Sequence, residues 1–237
     1  MSNQNTSAAS KFGQMIGESF EKSVISHIAK FLEEEYTDYE IMPPEAGNLQ
    51  ITLEMIGGNS KQMDTVITQK LSNDPLALLE TKWLKDGRHH NDKGAWILQL
   101  KEVKKRYATI RGAAAFFAGY WTEGVGVMLM SEGGIQMVIV ATDEQVYETL
   151  QPYVNEYTKN NNLESIVLEA KNCRKKYPRP WALANTLIDL SENELSEISD
   201  SWLNLVRETD EEGNQILGKD LINQALRDLL SPITEYP

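Results

Sequence analysis

From Phe12 to Leu32 an apolar side chain returns every four residues: Phe12, Ile16, Phe20, Val24, Ile28 and Leu32. That repeat lies close to the turn of an α-helix and predicts a helix over 12–34 with one buried stripe. Pro43, Pro44 and Gly47 close the region, and the period then changes to two. In LQITLEMI (49–56), Leu49, Ile51, Leu53 and Met55 share one face and Gln50, Thr52 and Glu54 the other, which predicts a strand covered on one side. Gly57-Gly58-Asn59-Ser60 reads as a turn into a hairpin partner, KQMDTVITQ (61–69). Ser72-Asn73-Asp74-Pro75 makes a second turn, and LALLETKW (76–83) a third strand.

Beyond a polar loop (85–93), helical spacing returns in WILQLKEVKKRYATI and lasts through Ile110. GVGVMLMS (124–131) and IQMVIVA (135–141) read as two further strands joined by Glu132-Gly133-Gly134. Thr142 with Gln145 has capping-box spacing for a helix over 143–159, Ser191 with Glu194 repeats it, and Asp220 is placed to cap a last helix through Leu230. The order α-β-β-β-α-β, followed by helices, predicts an α/β fold with a mixed central sheet flanked by helices. Residues 1–11 read as a flexible polar tail, 12–140 as the core, and 141–237 as a mainly helical extension of the same domain.

Side chains two apart on a strand share a face, so Glu80 and Lys82 point the same way, opposite Leu79, Thr81 and Trp83. A hairpin centred near Asn73 places Asp64 opposite Lys82, with Glu80 diagonal to it. Two carboxylates offer the hard oxygen donors that Mg²⁺ takes beside substrate phosphate and water. An ammonium next to them can hold a hydroxide or a phosphate oxygen. The same three groups equally make an interstrand ion pair on a solvated face, and their spacing alone does not separate the two readings.

MDTVI followed by LLETKW resembles the PD-(D/E)XK nuclease superfamily, with an acid on the second strand and Glu-x-Lys on the third. GESFE (17–21) is similar to the Gly-x-x-Phe-Glu pattern of that superfamily's first helix. Met63 stands where the motif usually has proline. The resemblance covers 12–140 and implies a restriction-endonuclease-like α-β-β-β-α-β core with additional C-terminal helices. It implies Asp64, Glu80 and the Thr81 carbonyl as ligands of Mg²⁺, with Mn²⁺ as a substitute, and Lys82 as the group that orients the attacking water. On the helix, Glu18 falls opposite the apolar stripe and Glu21 at its flank, so Glu21 is the candidate for the site. The activity implied is hydrolysis of double-stranded DNA to 5′-phosphate ends. A chain carrying no helicase or methyltransferase motif most resembles a type II restriction endonuclease, which implies a homodimer and a separately encoded companion methyltransferase. Residues 141–237 would then serve DNA recognition or dimerisation. A structure-specific repair or recombination nuclease, and a non-catalytic DNA-binding module of the same fold, are the alternatives.

Charge modifies this picture. The net charge is −12, yet residues 61–111 hold 11 Lys/Arg against 6 Asp/Glu, and KNCRKKYPRPW (171–181) has five basic residues and no acid. Acidity overall with two basic islands suits a protein that meets DNA along one cleft. The candidate contacts are Lys85, Arg88, His89, His90 and Lys93 on the polar loop, and Lys101, Lys104 and Lys105 on the helix after it. The second island adds Arg174, Lys175, Lys176 and Arg179. A single cysteine, Cys173, excludes an internal disulfide and points to a reducing, cytoplasmic setting. The longest apolar run, AAAFFAGYW (113–121), is too short to span a bilayer, and the first ten residues have no signal-peptide core.

Overall fold

The computed structural model describes residues 8–44, 50–85, 87, 89–160 and 190–231. Helix α1 (Ala8–Glu35) begins inside the segment expected to be a tail. Its four-residue stripe is buried as the spacing requires, from Phe12 through Leu32, with Phe31 added. Strand β1 (Tyr39–Ile41) follows, an edge strand that the alternation does not disclose. Strands β2 (Ile51–Glu54) and β3 (Ser60–Met63) form a separate two-stranded ribbon.

The strand expected over 61–69 is in fact two, broken at Asp64, because β4 (Thr65–Gln69) leaves the ribbon to enter the central sheet. With β5 (Pro75–Leu84), β6 (Gly112–Gly119) and β7 (Ile135–Thr142), that sheet has the order β1-β4-β5-β6-β7. The first three strands run antiparallel and the last three parallel, so the sheet is mixed.

Two expectations fail between β5 and β7. The helix expected through Ile110 is divided into α2 (His90–Leu98) and α3 (Leu100–Arg106). GVGVMLMS is not a strand but most of α4 (Glu123–Gly133), and the strand lies earlier, in the run that holds AAAFFAG. All eight residues of β6 are buried, so it carries no alternation to reveal it. Parallel neighbours need a crossover, and α4 supplies it between β6 and β7. Its buried Val125 and Leu129 are four apart, a helical spacing that the alternating valines disguise.

The C-terminal part contributes α5 (Asp143–Asn160), α6 (Glu192–Leu203) and α7 (Gly218–Leu230). Thr142 and Gln145 cap α5 reciprocally, and Ser191 and Glu194 do the same for α6. Asp220 lies inside α7, where its carboxylate accepts the Leu217 N–H at 2.8 Å. A hairpin of β8 (Val206–Thr209) and β9 (Gln215–Leu217) interrupts the extension expected to be helical.

Two apolar layers enclose the sheet. On one face α1, α5, α6 and α7 pack with Ala77, Leu79, Ala114, Phe116 and Ala118. On the other, α2, α3, α4 and the ribbon pack with Leu78, Ala113, Ala115 and Phe117. Alternation along β5 therefore turns Glu80 and Lys82 to the second face, with Leu78. Among the described residues no helix is long and apolar enough to cross a membrane.

Candidate functional site

The site lies where the sheet opens. The β4–β5 ladder stops at Thr65 and Leu79, while β5 continues to Leu84 paired to β6. The bend at Asp64 produces this opening by sending the chain from the ribbon into the sheet. Asp64 stands level with Glu80 and diagonal to Lys82, two residues from the expected register. A shift of two keeps every side chain on its face, so the three groups still converge.

Lys82 bridges both carboxylates: its ammonium pairs with Asp64 Oδ2 and lies 2.8 Å from Glu80 Oε2. The Thr81 backbone N–H donates to Asp64 Oδ2 at 2.9 Å, so Asp64 supplies the acceptor that β4 no longer offers there. Glu80 is only 1% exposed. Burial drives its carboxyl above the ordinary carboxylate range and Asp64 adds to that, while Lys82 and Lys61 oppose it. Burial works against the Lys82 ammonium as well, but Glu80 and Asp64 together outweigh it and raise its pKa.

Sequence reasoning missed one member. Lys61 of β3 is buried with its ammonium 3.3 Å from Glu80 Oε1. It also sits 4.4 Å from the Trp96 ring centroid and donates to the Trp96 carbonyl at 3.5 Å. Burial lowers its pKa, and the Glu80 charge holds against that. A signal was present: Lys61 falls at the inward parity of its hairpin, in register with buried Leu53, where an apolar residue belongs.

Glu21 of α1 borders the cluster. Its pKa is pushed up to about 7, by burial first and then by Asp64, with Lys82 opposing and Glu80 and Glu18 adding. Glu18 itself lines a groove of about 520 Å³ between α1 and α6, beside Lys22, Ser19 and Asp200.

The candidate DNA contacts are less gathered. Lys85 directly follows the strand that carries Lys82, and Lys93 is exposed on α2, one turn before Trp96. His89 is exposed and pairs with Asp92 at 3.6 Å. His90 is committed to the fold, its Nδ1 2.6 Å from the Gly87 carbonyl oxygen and its ring edge-on to Tyr120. Lys101 and Lys104 are half-buried on α3, and Lys105 pairs with Glu102 at 3.0 Å. Arg88, Arg174, Lys175, Lys176 and Arg179 lie outside the described residues.

The donor chemistry decides whether the site suits a divalent ion. Each Glu80 oxygen faces a lysine ammonium, Oε2 that of Lys82 at 2.8 Å and Oε1 that of Lys61 at 3.3 Å, so a ligand on this carboxylate would take the place of a lysine. Among the described residues no three His, Cys, Asp or Glu side chains converge as a metal-binding group. That leaves two carboxylates and a backbone carbonyl, a set that fits Mg²⁺, which keeps several waters, and does not fit a closed protein cage.

No family model matches the chain, and no curated protein does. One solved structure is similar, the crystal structure of a protein of unknown function, AF1548, at 13% identity and a TM-score of 0.32, covering 78% of this chain and 96% of that one.

Proposed function

We propose that the protein is a Mg²⁺-dependent endonuclease of the PD-(D/E)XK type acting on double-stranded DNA, of the restriction kind. One observation carries the reading: Asp64, Glu80 and Lys82 meet where β4 parts from β5, with Glu21 of α1 near enough to feel their charges. The likeness of MDTVI, LLETKW and GESFE to that superfamily's motifs supports it.

Asp64, Glu80 and the Thr81 carbonyl would hold the ion, which when bound supplies a more acidic water and stabilises charge on the phosphate. Lys82 holds a proton-rich ammonium between both carboxylates, placed to orient an attacking oxygen. Glu21, whose pKa burial and Asp64 push up to about 7, is suited to take up a proton beside them. Lys85, Lys93, Lys101 and Lys104 would meet the phosphate backbone. Cutting both strands of a twofold site calls for two such centres, hence a homodimer on DNA, which light scattering would reveal.

The same contacts also describe a structural ion-pair network, because Lys82 already engages both acids. Plasmid hydrolysis separates the two. Nicking that needs Mg²⁺, stops with EDTA, and disappears in Glu80→Gln and Lys82→Ala supports the nuclease. Full-rate hydrolysis by Glu80→Gln would show that the site is elsewhere.

A further inference from the structure

We infer that Lys61 is a positioning residue of this site, an internal cation that competes with a divalent ion for Glu80 and so couples ion uptake to the arrival of a phosphate. The inference rests on reading Asp64 and Glu80 as the ion's ligands. Lys61 is unlike a surface lysine. Its ammonium is fixed by Glu80 Oε1 at 3.3 Å, by the Trp96 carbonyl at 3.5 Å and by the Trp96 ring, and its side chain has no solvent exposure. Lys82 retains 19% side-chain exposure, whereas Lys61 has none.

Charge balance gives this a consequence. Two ammoniums, Lys61 and Lys82, already neutralise the two carboxylates Asp64 and Glu80, while burial and Asp64 push the neighbouring Glu21 toward its neutral form. A divalent ion added to the same carboxylates leaves excess positive charge in a poorly solvated place, which is unfavourable without a counter-charge. Lys82 can turn toward solvent or substrate. Lys61 cannot, so its charge either stays and is offset by an anionic phosphate, or leaves as a proton from an ammonium whose pKa burial already lowers. Trp96, whose ring and carbonyl hold Lys61, lies on α2 beside exposed Lys93, so the face proposed to meet DNA also holds the buried cation in place.

The test is Mn²⁺ binding to the full chain, followed by electron paramagnetic resonance of the free ion, for wild type, Lys61→Met, Lys61→Gln and Lys61→Arg. The neutral variants are expected to bind Mn²⁺ about tenfold more tightly, a modest share of what a unit charge a few ångströms away is worth. Lys61→Arg keeps the wild-type affinity. Mn²⁺ also raises the melting temperature of the neutral variants more than that of wild type, because the ion takes over the neutralisation of Glu80. Duplex DNA tightens Mn²⁺ binding in wild type and does so less in Lys61→Met. A lysine with only a structural role gives neutral variants that melt lower and bind Mn²⁺ no better, and that result overturns the inference. Asp64→Asn distinguishes the two levels. If Mn²⁺ binding by Lys61→Met survives addition of Asp64→Asn, the ion sits elsewhere and the ligand reading itself fails. If Asp64→Asn removes binding from wild type but Lys61→Met does not tighten it, the ligand reading stands and Lys61 is only structural.

Discussion

The backbone N–H of Thr81 donates to Asp64 Oδ2 at 2.9 Å across the gap where β4 has turned away from β5. A side chain thus completes the hydrogen bonding of a strand, and the same oxygen meets the Lys82 ammonium. Asp64→Asn retains an acceptor for Thr81, and Asp64→Ala leaves that N–H without one. Urea unfolding is therefore expected to show Asp64→Ala about 1–2 kcal/mol less stable than Asp64→Asn. Under the proposed function both are inactive, so Asn separates fold from activity. Equal stabilities would mean that the Thr81 hydrogen bond contributes nothing.

Glu21 gives a pH dependence with a definite sign. Its pKa rises from the usual carboxylate value to about 7 in the folded protein, chiefly through burial and Asp64. The folded state then binds more protons than the unfolded one between the two values, so this group favours folding at low pH and the benefit fades as pH rises toward 7. Glu21→Gln removes the ionisation. It is expected to stabilise the protein by about 1 kcal/mol at pH ~8, after allowing for partial solvent screening, and to change little near pH ~4. Thermal melts of both proteins at the two pH values test this. A larger gain at low pH would contradict the assignment.

Legibility in the sequence followed physical visibility. The α1 stripe and the caps at Thr142 and Ser191 are local patterns, and each emerged in the fold. Strand β6 is buried on both faces and shows only an apolar run, which resembles a core helix as much as a strand. Helix α4 shows the converse: alternating glycine and valine imitate a strand and disguise the four-residue spacing of Val125 and Leu129, while the crossover that parallel β6 and β7 require is not a local pattern. The convergence of Asp64, Glu80 and Lys82 is readable because parity survives a two-residue register shift. Lys61 is not, because residues 61–69 read as one continuous strand. Its place under Glu80 depends on the break at Asp64, a long-range feature that no local pattern encodes.

The basic surface of α2 and α3 makes a claim about salt. Lys93 is exposed and Lys101 and Lys104 are half-buried, so their ammoniums can reach phosphates that release counterions when neutralised. Lys101→Ala combined with Lys104→Ala is expected to weaken binding to duplex DNA. The slope of log affinity against log salt should fall by about one for each phosphate that a removed ammonium had neutralised. Lys105→Ala, which removes a lysine already paired with Glu102 at 3.0 Å, should change the slope less. Fluorescence anisotropy across a salt series measures these effects. An unchanged slope in the double variant would assign α3 to solvent and not to DNA.

Gly119 closes β6 directly beside the strand that carries Lys82, in register with Leu84. Its φ is +87°, and a Cβ there would fall 2.0 Å from the Leu84 carbonyl oxygen. That oxygen also accepts the Tyr120 N–H at 2.9 Å, so it is held and cannot simply retreat. Gly119→Ala therefore combines an unfavourable backbone conformation with a clash against fixed backbone, and is expected to cost about 3 kcal/mol or more. Gly213 in the β8–β9 hairpin is the control: its φ is +88°, but an added Cβ meets nothing within 4 Å. Gly213→Ala should cost only the conformational part, about 1 kcal/mol. The difference between the two, from chemical denaturation, measures the clash with Leu84. Because Leu84 is two residues from Lys82, Gly119→Ala should also reduce any Mg²⁺-dependent cleavage, and Gly213→Ala should not. Equal destabilisation by both substitutions would mean that β5 yields at its end, and that the strand bearing Lys82 is less fixed than its pairing indicates.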